Sequence, residues 1–340
     1  MNTQVMEEYL YGLPEQFEDC LQMDFDFIHR YRLPYDNILI CGMGGSAIGG
    51  DILRTYGQRK ATVPLIVNRD YQVPNFVDER TLAIMVSFSG NTEETLHAYH
   101  QSKERNASII CITSGGEIAE LAKQNNDGLA VIPGDLVPRA ATGYLLGTVA
   151  LILEEARLLP GVKEEINETV RVLSEMRKQL EPGAVESENQ ARQIAGSLKD
   201  SLPLIWGVTG SSEAAAIRWK GQINENAKSP AYYNLFPELN HNEIVGFEMP
   251  EDLISRLVVI ILRDETDNER NQRRIEITKG ILEKKVKEII EVKSIGRSFL
   301  ARLYSLIYIG DYTSYYLAVN YGIDPTPVKV IDFLKSELSR

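Results

Sequence analysis

The stretch Leu82-Ala83-Ile84-Met85-Val86-Ser87-Phe88-Ser89-Gly90-Asn91-Thr92-Glu93-Glu94-Thr95 decides how this chain folds. Residues 82–86 form an apolar run with branched side chains, the pattern of a short buried strand. Residues 95–99 read as the opening of a helix. A strand that enters a helix through a short turn gathers free main-chain N–H groups and the positive end of the helix dipole at one point. Ser87, Ser89 and Thr92 add hydroxyls there without bulk, so the turn suits a phosphate monoester. It has no Gly-Lys-Ser/Thr, which excludes a nucleotide P-loop. Taken alone, the turn has a plainer reading as an N-cap, through Thr92 and Thr95 or Asn91 and Glu94.

Working outward, residues 37–41 (Asn-Ile-Leu-Ile-Cys) form another apolar strand. It runs into Gly42-Met43-Gly44-Gly45-Ser46-Ala47-Ile48-Gly49-Gly50, with a helix expected from about Asp51. Residues 63–67, 108–112 and 128–132 read as further strands, with helices between most of them. This alternation predicts an α/β fold with a parallel sheet covered on both faces. In such sheets ligands gather beyond the C-terminal strand ends, where residues 42–46 and 87–92 both fall. Residues 1–35 read as helical, broken at Pro14 and Pro34. A helix over about 140–159 closes this half, and Pro160-Gly161 interrupts the pattern.

Residues 163–196 are charged and largely helical, with a break at Pro182-Gly183, and read as a surface connector. A second α/β half begins at Pro203-Leu204-Ile205-Trp206-Gly207-Val208-Thr209-Gly210-Ser211-Ser212. Laying Leu39 on Leu204 also matches Ile40, Gly42, Gly45, Ser46 and Ile52 with Ile205, Gly207, Gly210, Ser211 and Ile217. Identity through strand, turn and helix predicts an internal duplication. The expected domains are 1–160, with its N-terminal helical segment, and 198–340, joined by a helical connector at 161–197. In the second half, residues 213–228 read as a helix and 232–241 as a coil rich in aromatics and Asn. Strands are expected at 257–262 and 286–292, a long apolar helix at 300–321 and a short one at 328–338. Tyr304, Tyr308, Tyr312, Tyr315 and Tyr316 share helical spacing, as core or subunit-interface residues do.

The chain has 340 residues, 44% of them hydrophobic, enough for two packed domains. Its formal net charge of −12 argues against non-specific nucleic-acid binding and against an anionic membrane surface. It leaves an anionic small molecule open, because a local site can still be positive. Cys20, Cys41 and Cys111 are odd in number and show no CxxC spacing, which fits a reducing cytoplasm. The polar, acidic first residues are unlike a signal peptide, and no apolar run nears the roughly 20 residues that span a bilayer. The four histidines, His29, His97, His100 and His241, form no zinc pattern with these cysteines. His97 and His100 read as solvated surface residues. No metal and no cofactor are expected.

Residues 42–47 also have the form GxGxxA after a strand, and Asp70 stands about where a ribose-binding acid would. That is a weak dinucleotide fingerprint by itself. The combination of Gly-Gly-Ser after one strand with Ser-x-Ser-Gly-x-Thr after a later one resembles the sugar-isomerase (SIS) domain. Two such domains in tandem are characteristic of phosphosugar isomerases. Gly42 to Asp51, Ser87 to Thr95, Pro138-Arg139-Ala140, Asn224-Glu225-Asn226-Ala227-Lys228 and Leu239-Asn240-His241-Asn242-Glu243 are together similar to the bifunctional phosphoglucose/phosphomannose isomerase family. The resemblance covers nearly the whole chain.

The resemblance implies an aldose–ketose isomerisation through a cis-enediol, interconverting glucose 6-phosphate and mannose 6-phosphate with fructose 6-phosphate. Gly45, Ser46, Ser87, Ser89 and Thr92 would hold the substrate phosphate, so that remote binding energy positions C1 and C2. Glu225 would be the base between C2 and C1, with burial lifting its pKa toward neutrality. His241, which the family takes from the neighbouring subunit, would open the sugar ring with help from Lys329. Arg139 would stabilise the enediolate oxygen. A homodimer with its sites at the subunit interface is implied, with a phosphosugar as the small-molecule partner, and neither nucleic acid nor membrane.

Each residue has a plainer reading as well. Glu225 and Lys228 have i,i+3 spacing and would suit a surface salt bridge. His241 could cap the segment after it. Arg139 opens a predicted helix against the dipole preference, which points to function. Lys335 is the alternative to Lys329. A non-catalytic phosphosugar-binding regulator is the alternative function, although residues 1–35 are too short and acidic for a DNA-binding domain.

Overall fold

The computed structural model describes residues 2–338. In chain order, α1 (Gln4–Tyr11) and α2 (Leu13–Cys20) precede β1 (Asn37–Cys41), α3 (Gly44–Lys60), β2 (Leu65–Asn68) and β3 (Thr81–Val86). Then come α4 (Glu93–Glu104), β4 (Ser108–Thr113), α5 (Gly116–Gln124), β5 (Gly128–Val131) and α6 (Thr142–Glu155). Helices α7 (Val162–Leu180) and α8 (Gln190–Leu198) lead to β6 (Leu202–Val208), α9 (Glu213–Asn226) and β7 (Tyr232–Phe236). The chain continues through α10 (Glu251–Ile254), β8 (Leu257–Arg263), α11 (Glu269–Leu282), β9 (Glu288–Lys293), α12 (Phe299–Tyr321) and α13 (Lys329–Leu338).

These elements form two compact units. The first comprises Gly12–Ser174 and Ile295–Ser305. The second takes, of the described residues, those up to Tyr11, Glu175–Ser294 and those from Leu306 onward.

The first unit holds a parallel sheet in the order β2-β1-β3-β4-β5. Every residue of β3 is buried, as expected of a central strand covered on both faces. Leu39, Ala83, Met85, Ile109 and Cys111 face one side, where Ala98 and Tyr99 of α4 and Ile118 and Ala122 of α5 cover them. On the other side α3 packs along β1 and β2 and against α6.

The second unit has a parallel sheet in the order β7-β6-β8-β9. This is the first sheet's order, with β6 in the place of β1. Trp206, Val208, Val259 and Ile261 of this sheet pack with Phe236, Phe247 and Ile275. Tyr308, Tyr312, Tyr315 and Tyr316 are buried on α12 in this unit, and Tyr304 is buried in the first.

Two local expectations fail for physical reasons. The glycine-rich residues 44–50 are helical, because α3 begins at Gly44, not near Asp51. A Cβ at Gly50 would stand 3.1 Å from the Ile40 side chain, and one at Gly45 2.8 Å from the Pro138 carbonyl oxygen, so these two glycines serve close helix packing. Residues 232–236 form a strand, β7, and not a coil, pairing from Leu204↔Tyr232 to Val208↔Phe236. Tyr232 and Tyr233 are exposed on this edge strand, which blurs the alternation that marks a half-buried strand.

Candidate active site

In both sheets the strand order reverses between neighbouring strands, β1 and β3 in one, β6 and β8 in the other. Such a switch point opens a crevice beyond the strand C-termini, because the helices that follow leave to opposite faces.

At the first crevice β1 gives way to α3 and β3 gives way to α4. Ser87 is buried, with its Oγ 2.8 Å from Thr92 Oγ1. The Gly90 N–H donates to Ser87 Oγ over 3.1 Å, and the Asn91 N–H donates to Ser89 Oγ over 3.3 Å. Ser89 is exposed and Thr92 half-buried. The N–H of Phe88 donates to Ser46 Oγ, 3.3 Å away, which brings the two hydroxyl turns together. Thr92 is the N-cap of α4, yet its side chain makes no capping hydrogen bond. The plain capping reading through Thr92 therefore does not describe this turn.

Gly45 lies against the segment that carries Arg139. A Cβ at Gly45 would sit 2.8 Å from the Pro138 carbonyl oxygen and 3.0 Å from Arg139 Cα. Arg139 is itself buried, within the short 3-10 helix Pro138–Ala140. The five phosphate candidates and Arg139 thus occupy one neighbourhood of the first unit.

Sequence reasoning passed over what braces this turn. Phe88 O accepts from the Ser114 N–H at 3.0 Å and from the Ser114 hydroxyl at 2.6 Å. Asn91 Oδ1 accepts from the Glu117 N–H at 2.9 Å, and Gly90 O accepts from the Ile118 N–H at 3.0 Å. Gly90 (φ 72°) and Gly116 (φ 74°) interlock, since a Cβ on the former would lie 1.7 Å from Gly115 O. The available signal was Ser114-Gly115-Gly116 after the apolar run of β4.

In the second crevice Ile260 pairs with Ile205 as Ile84 pairs with Ile40. The turn matching Ser87–Thr92 therefore precedes Glu269, the first residue of α11. It reads Arg263-Asp264-Glu265-Thr266-Asp267-Asn268, with Arg263, Glu265 and Asn268 in the places of Ser87, Ser89 and Thr92, so none of the three hydroxyls recurs. The chain's own carboxylates take the N–H groups there. Asp267 Oδ2 accepts from Asp264 N at 3.1 Å and Asp264 Oδ1 from Thr266 N at 2.9 Å. At the glycine turn, Glu213 Oε2 accepts from Gly210 N at 3.2 Å. Burial pushes the Asp267 carboxyl above its ordinary range.

Glu225 lies half-buried in the last turn of α9. The neighbouring Asn226 is fully buried and its Nδ2 donates to Ser314 Oγ at 2.9 Å. Asn224 Nδ2 donates to Ser229 O at 2.9 Å. Lys228 Nζ donates to the main-chain carbonyl of Glu225 and to Pro325 O.

His241 ends the 3-10 helix Glu238–His241 and is exposed. Its neighbours are anchored, Asn240 Nδ2 to Thr278 Oγ1 at 2.9 Å and Asn242 Nδ2 to Glu238 Oε1 at 2.8 Å. Asn242, not His241, caps the next segment, its Oδ1 accepting from Glu243 N at 2.6 Å. The capping explanation of His241 is thereby removed. Lys329 is the exposed first residue of α13, and Lys335 is exposed on the same helix. His97 and His100 are exposed on α4, as expected of surface residues.

Among the described residues no group of three His, Cys, Asp or Glu side chains could hold a metal ion. Among them, too, no helix is long and apolar enough to cross a membrane.

The SIS domain matches residues 34–132, and the bacterial phospho-glucose isomerase C-terminal SIS domain matches residues 187–338. The chain is thus built of two SIS domains. It is 45% identical over 335 residues, 98% of its length and 99% of the relative's, to the bifunctional phosphoglucose/phosphomannose isomerase of Caldicellulosiruptor bescii. It is 36% identical over 337 residues to the enzyme of the same name from Aquifex aeolicus, again covering 98% and 99%. The chain belongs to the bifunctional phosphoglucose/phosphomannose isomerase family. The fold is also that of the C-terminal domain of glucosamine-fructose-6-phosphate aminotransferase from Francisella tularensis. The TM-score there is 0.72 at 17% identity, covering 95% of this chain and 98% of that one.

Proposed function

We propose that this isomerase interconverts glucose 6-phosphate and mannose 6-phosphate with fructose 6-phosphate through a cis-enediol. The observation that carries the reading is the meeting of Ser46 with the Ser87–Thr92 turn at a sheet switch point. Hydroxyls, main-chain N–H groups and two helix N-termini suit a phosphate monoester there.

In this reading Gly45, Ser46, Ser87, Ser89 and Thr92 hold the 6-phosphate. Glu225 takes the proton from C2 of the open-chain aldose and returns it to C1, while O1 gains a proton as the enediol forms and O2 loses one as it collapses, giving the ketose. The transfer is internal and redox-neutral, so it calls for no cofactor. His241 moves a proton at the ring oxygen to open the hemiacetal, and Lys329 assists. Arg139 stabilises negative charge on the enediolate oxygen. The protein acts as a homodimer in which the second copy supplies His241. Three buried, unpaired cysteines support a reducing, cytoplasmic location.

The test is a coupled assay on fructose 6-phosphate with EDTA present, quantifying glucose 6-phosphate and mannose 6-phosphate separately. Both products are expected. Glucose 6-phosphate alone would keep the mechanism and narrow the substrate range. Tight sugar-phosphate binding with neither product would favour a non-catalytic phosphosugar-binding regulator.

A further inference from the structure

We propose that Lys228 is a positioning residue that ties the helix turn carrying Glu225 to the loop leading to Lys329. The proposal rests on the reading of Glu225 as the base.

Helix α9 ends at Asn226, with Ala227 as its C-cap. Lys228 follows with φ 54°, in the left-handed region. Glycine or asparagine is the usual residue just past a helix end, because a Cβ is disfavoured in that conformation. A lysine kept there against backbone preference calls for a reason in its side chain.

The side chain supplies one. It folds back so that Nζ donates to the Glu225 carbonyl, one of the last-turn carbonyls that an α-helix leaves unbonded. A cation at this end also meets the negative pole of the helix dipole. The same Nζ donates to Pro325 O at 3.0 Å. Pro325 is buried in the loop after α12, where Asp324 Oδ1 also accepts from Thr326 N at 2.9 Å. Lys329 begins α13 just beyond. One ammonium group therefore bridges the main chain under Glu225 and the main chain leading to Lys329.

The flanking residues reinforce it. Asn224 holds Ser229 O and Asn226 holds Ser314 Oγ. In Asn224-Glu225-Asn226-Ala227-Lys228 three polar side chains brace the turn that bears the fourth. Helix ends otherwise fray, and a carboxylate misplaced by an ångström loses much of its effect.

Lys228→Gly removes the tether and suits the backbone. Melting temperature should hold or rise, KM should stay within about threefold and kcat should fall about tenfold or more. Hydrogen exchange should quicken in residues 322–328. Lys228→Arg keeps donors in reach and should hold kcat within about threefold. Lys228→Asn, also at ease at positive φ, repeats the test if the glycine variant folds poorly. A kcat for Lys228→Gly within about twofold of the parent, or a defect confined to KM, overturns the proposal. Equal losses in the Arg and Gly variants would do the same. Glu225→Gln is measured alongside. If it keeps turnover, the base reading fails. If it is inactive while Lys228→Gly is unimpaired, only the tether fails.

Discussion

The main-chain N–H of Phe88 donates to the hydroxyl of Ser46 over 3.3 Å. That bond joins the turn after β3 to the first turn of α3. Ser46 Oγ accepts from the protein here, so its own proton is available to a ligand oxygen.

Ser46→Ala should therefore weaken substrate binding more than turnover. The variant loses a donor to an anion and leaves the buried Phe88 N–H without its acceptor. Hydrogen bonds to charged groups contribute roughly 1.5–3 kcal/mol, so KM should rise about 10- to 100-fold with a smaller change in kcat. Steady-state kinetics and calorimetric titration with fructose 6-phosphate check this. An unchanged dissociation constant would move the phosphate elsewhere.

Gly45→Ala tests the neighbouring contact. The new methyl would meet the Pro138 carbonyl oxygen at 2.8 Å and Arg139 Cα at 3.0 Å, which are main-chain atoms that cannot swing aside. Overpacking of this kind costs about 1–3 kcal/mol, and relief requires moving the segment that holds Arg139. Expected outcomes are a lower urea midpoint and a kcat loss larger than the stability loss accounts for. Normal kcat in a destabilised variant would show that Arg139 does not depend on this contact.

The legible parts of the sequence were those where one physical demand dominates. Strands β1, β3 and β4 are buried on both faces and read as apolar runs. The Ser87–Thr92 turn needed small hydroxyl residues at fixed spacing, and the correspondence of Gly42 and Ser46 with Gly207 and Ser211 pointed to two matching sheets. The sequence was ambiguous where one residue type serves two ends. Glycines 44–50 read as a turn, whereas two of them admit close helix packing. Tyr232 and Tyr233 read as coil because an edge strand has little to bury. Lys228 read as half of a surface ion pair, and its bond to the Glu225 main-chain carbonyl depends on a backbone angle that no spacing rule reveals.

Arg218 and Asp311 form a buried ion pair at 2.7 Å, to which Gln222 Nε2 adds a bond to Asp311 Oδ1 at 3.1 Å. Burial pushes the Asp311 carboxyl up, while Arg218 and Gln222 pull it down less strongly. Arg218→Met strands a buried carboxylate and should cost about 3–5 kcal/mol. Arg218→Met combined with Asp311→Leu and Gln222→Met removes the ion pair together with the Gln222 bond and should recover most of that loss. Urea unfolding of the two variants decides it. Equal destabilisation in both would mean that packing, not stranded charge, sets the cost.

Glu168 of α7 accepts from the Arg297 N–H at 2.6 Å and the Ser298 N–H at 3.0 Å, just ahead of α12. Burial raises this carboxyl, but these N–H groups and the Ser298 hydroxyl outweigh it and hold the group below its usual range. An acid with a depressed folded pKa adds stability that is complete above its unfolded pKa. That stability is lost as pH falls through the folded value. The parent should therefore lose stability on acidification below the ordinary glutamate range. Glu168→Gln keeps one acceptor oxygen but cannot titrate. It should be less stable at pH 7 by roughly 0.5–2 kcal/mol, the range for a lost helix cap. The gap to the parent should close as the pH drops. Urea midpoints at several pH values below 5 measure it, and a gap that stays constant with pH would assign the effect to shape and not to charge.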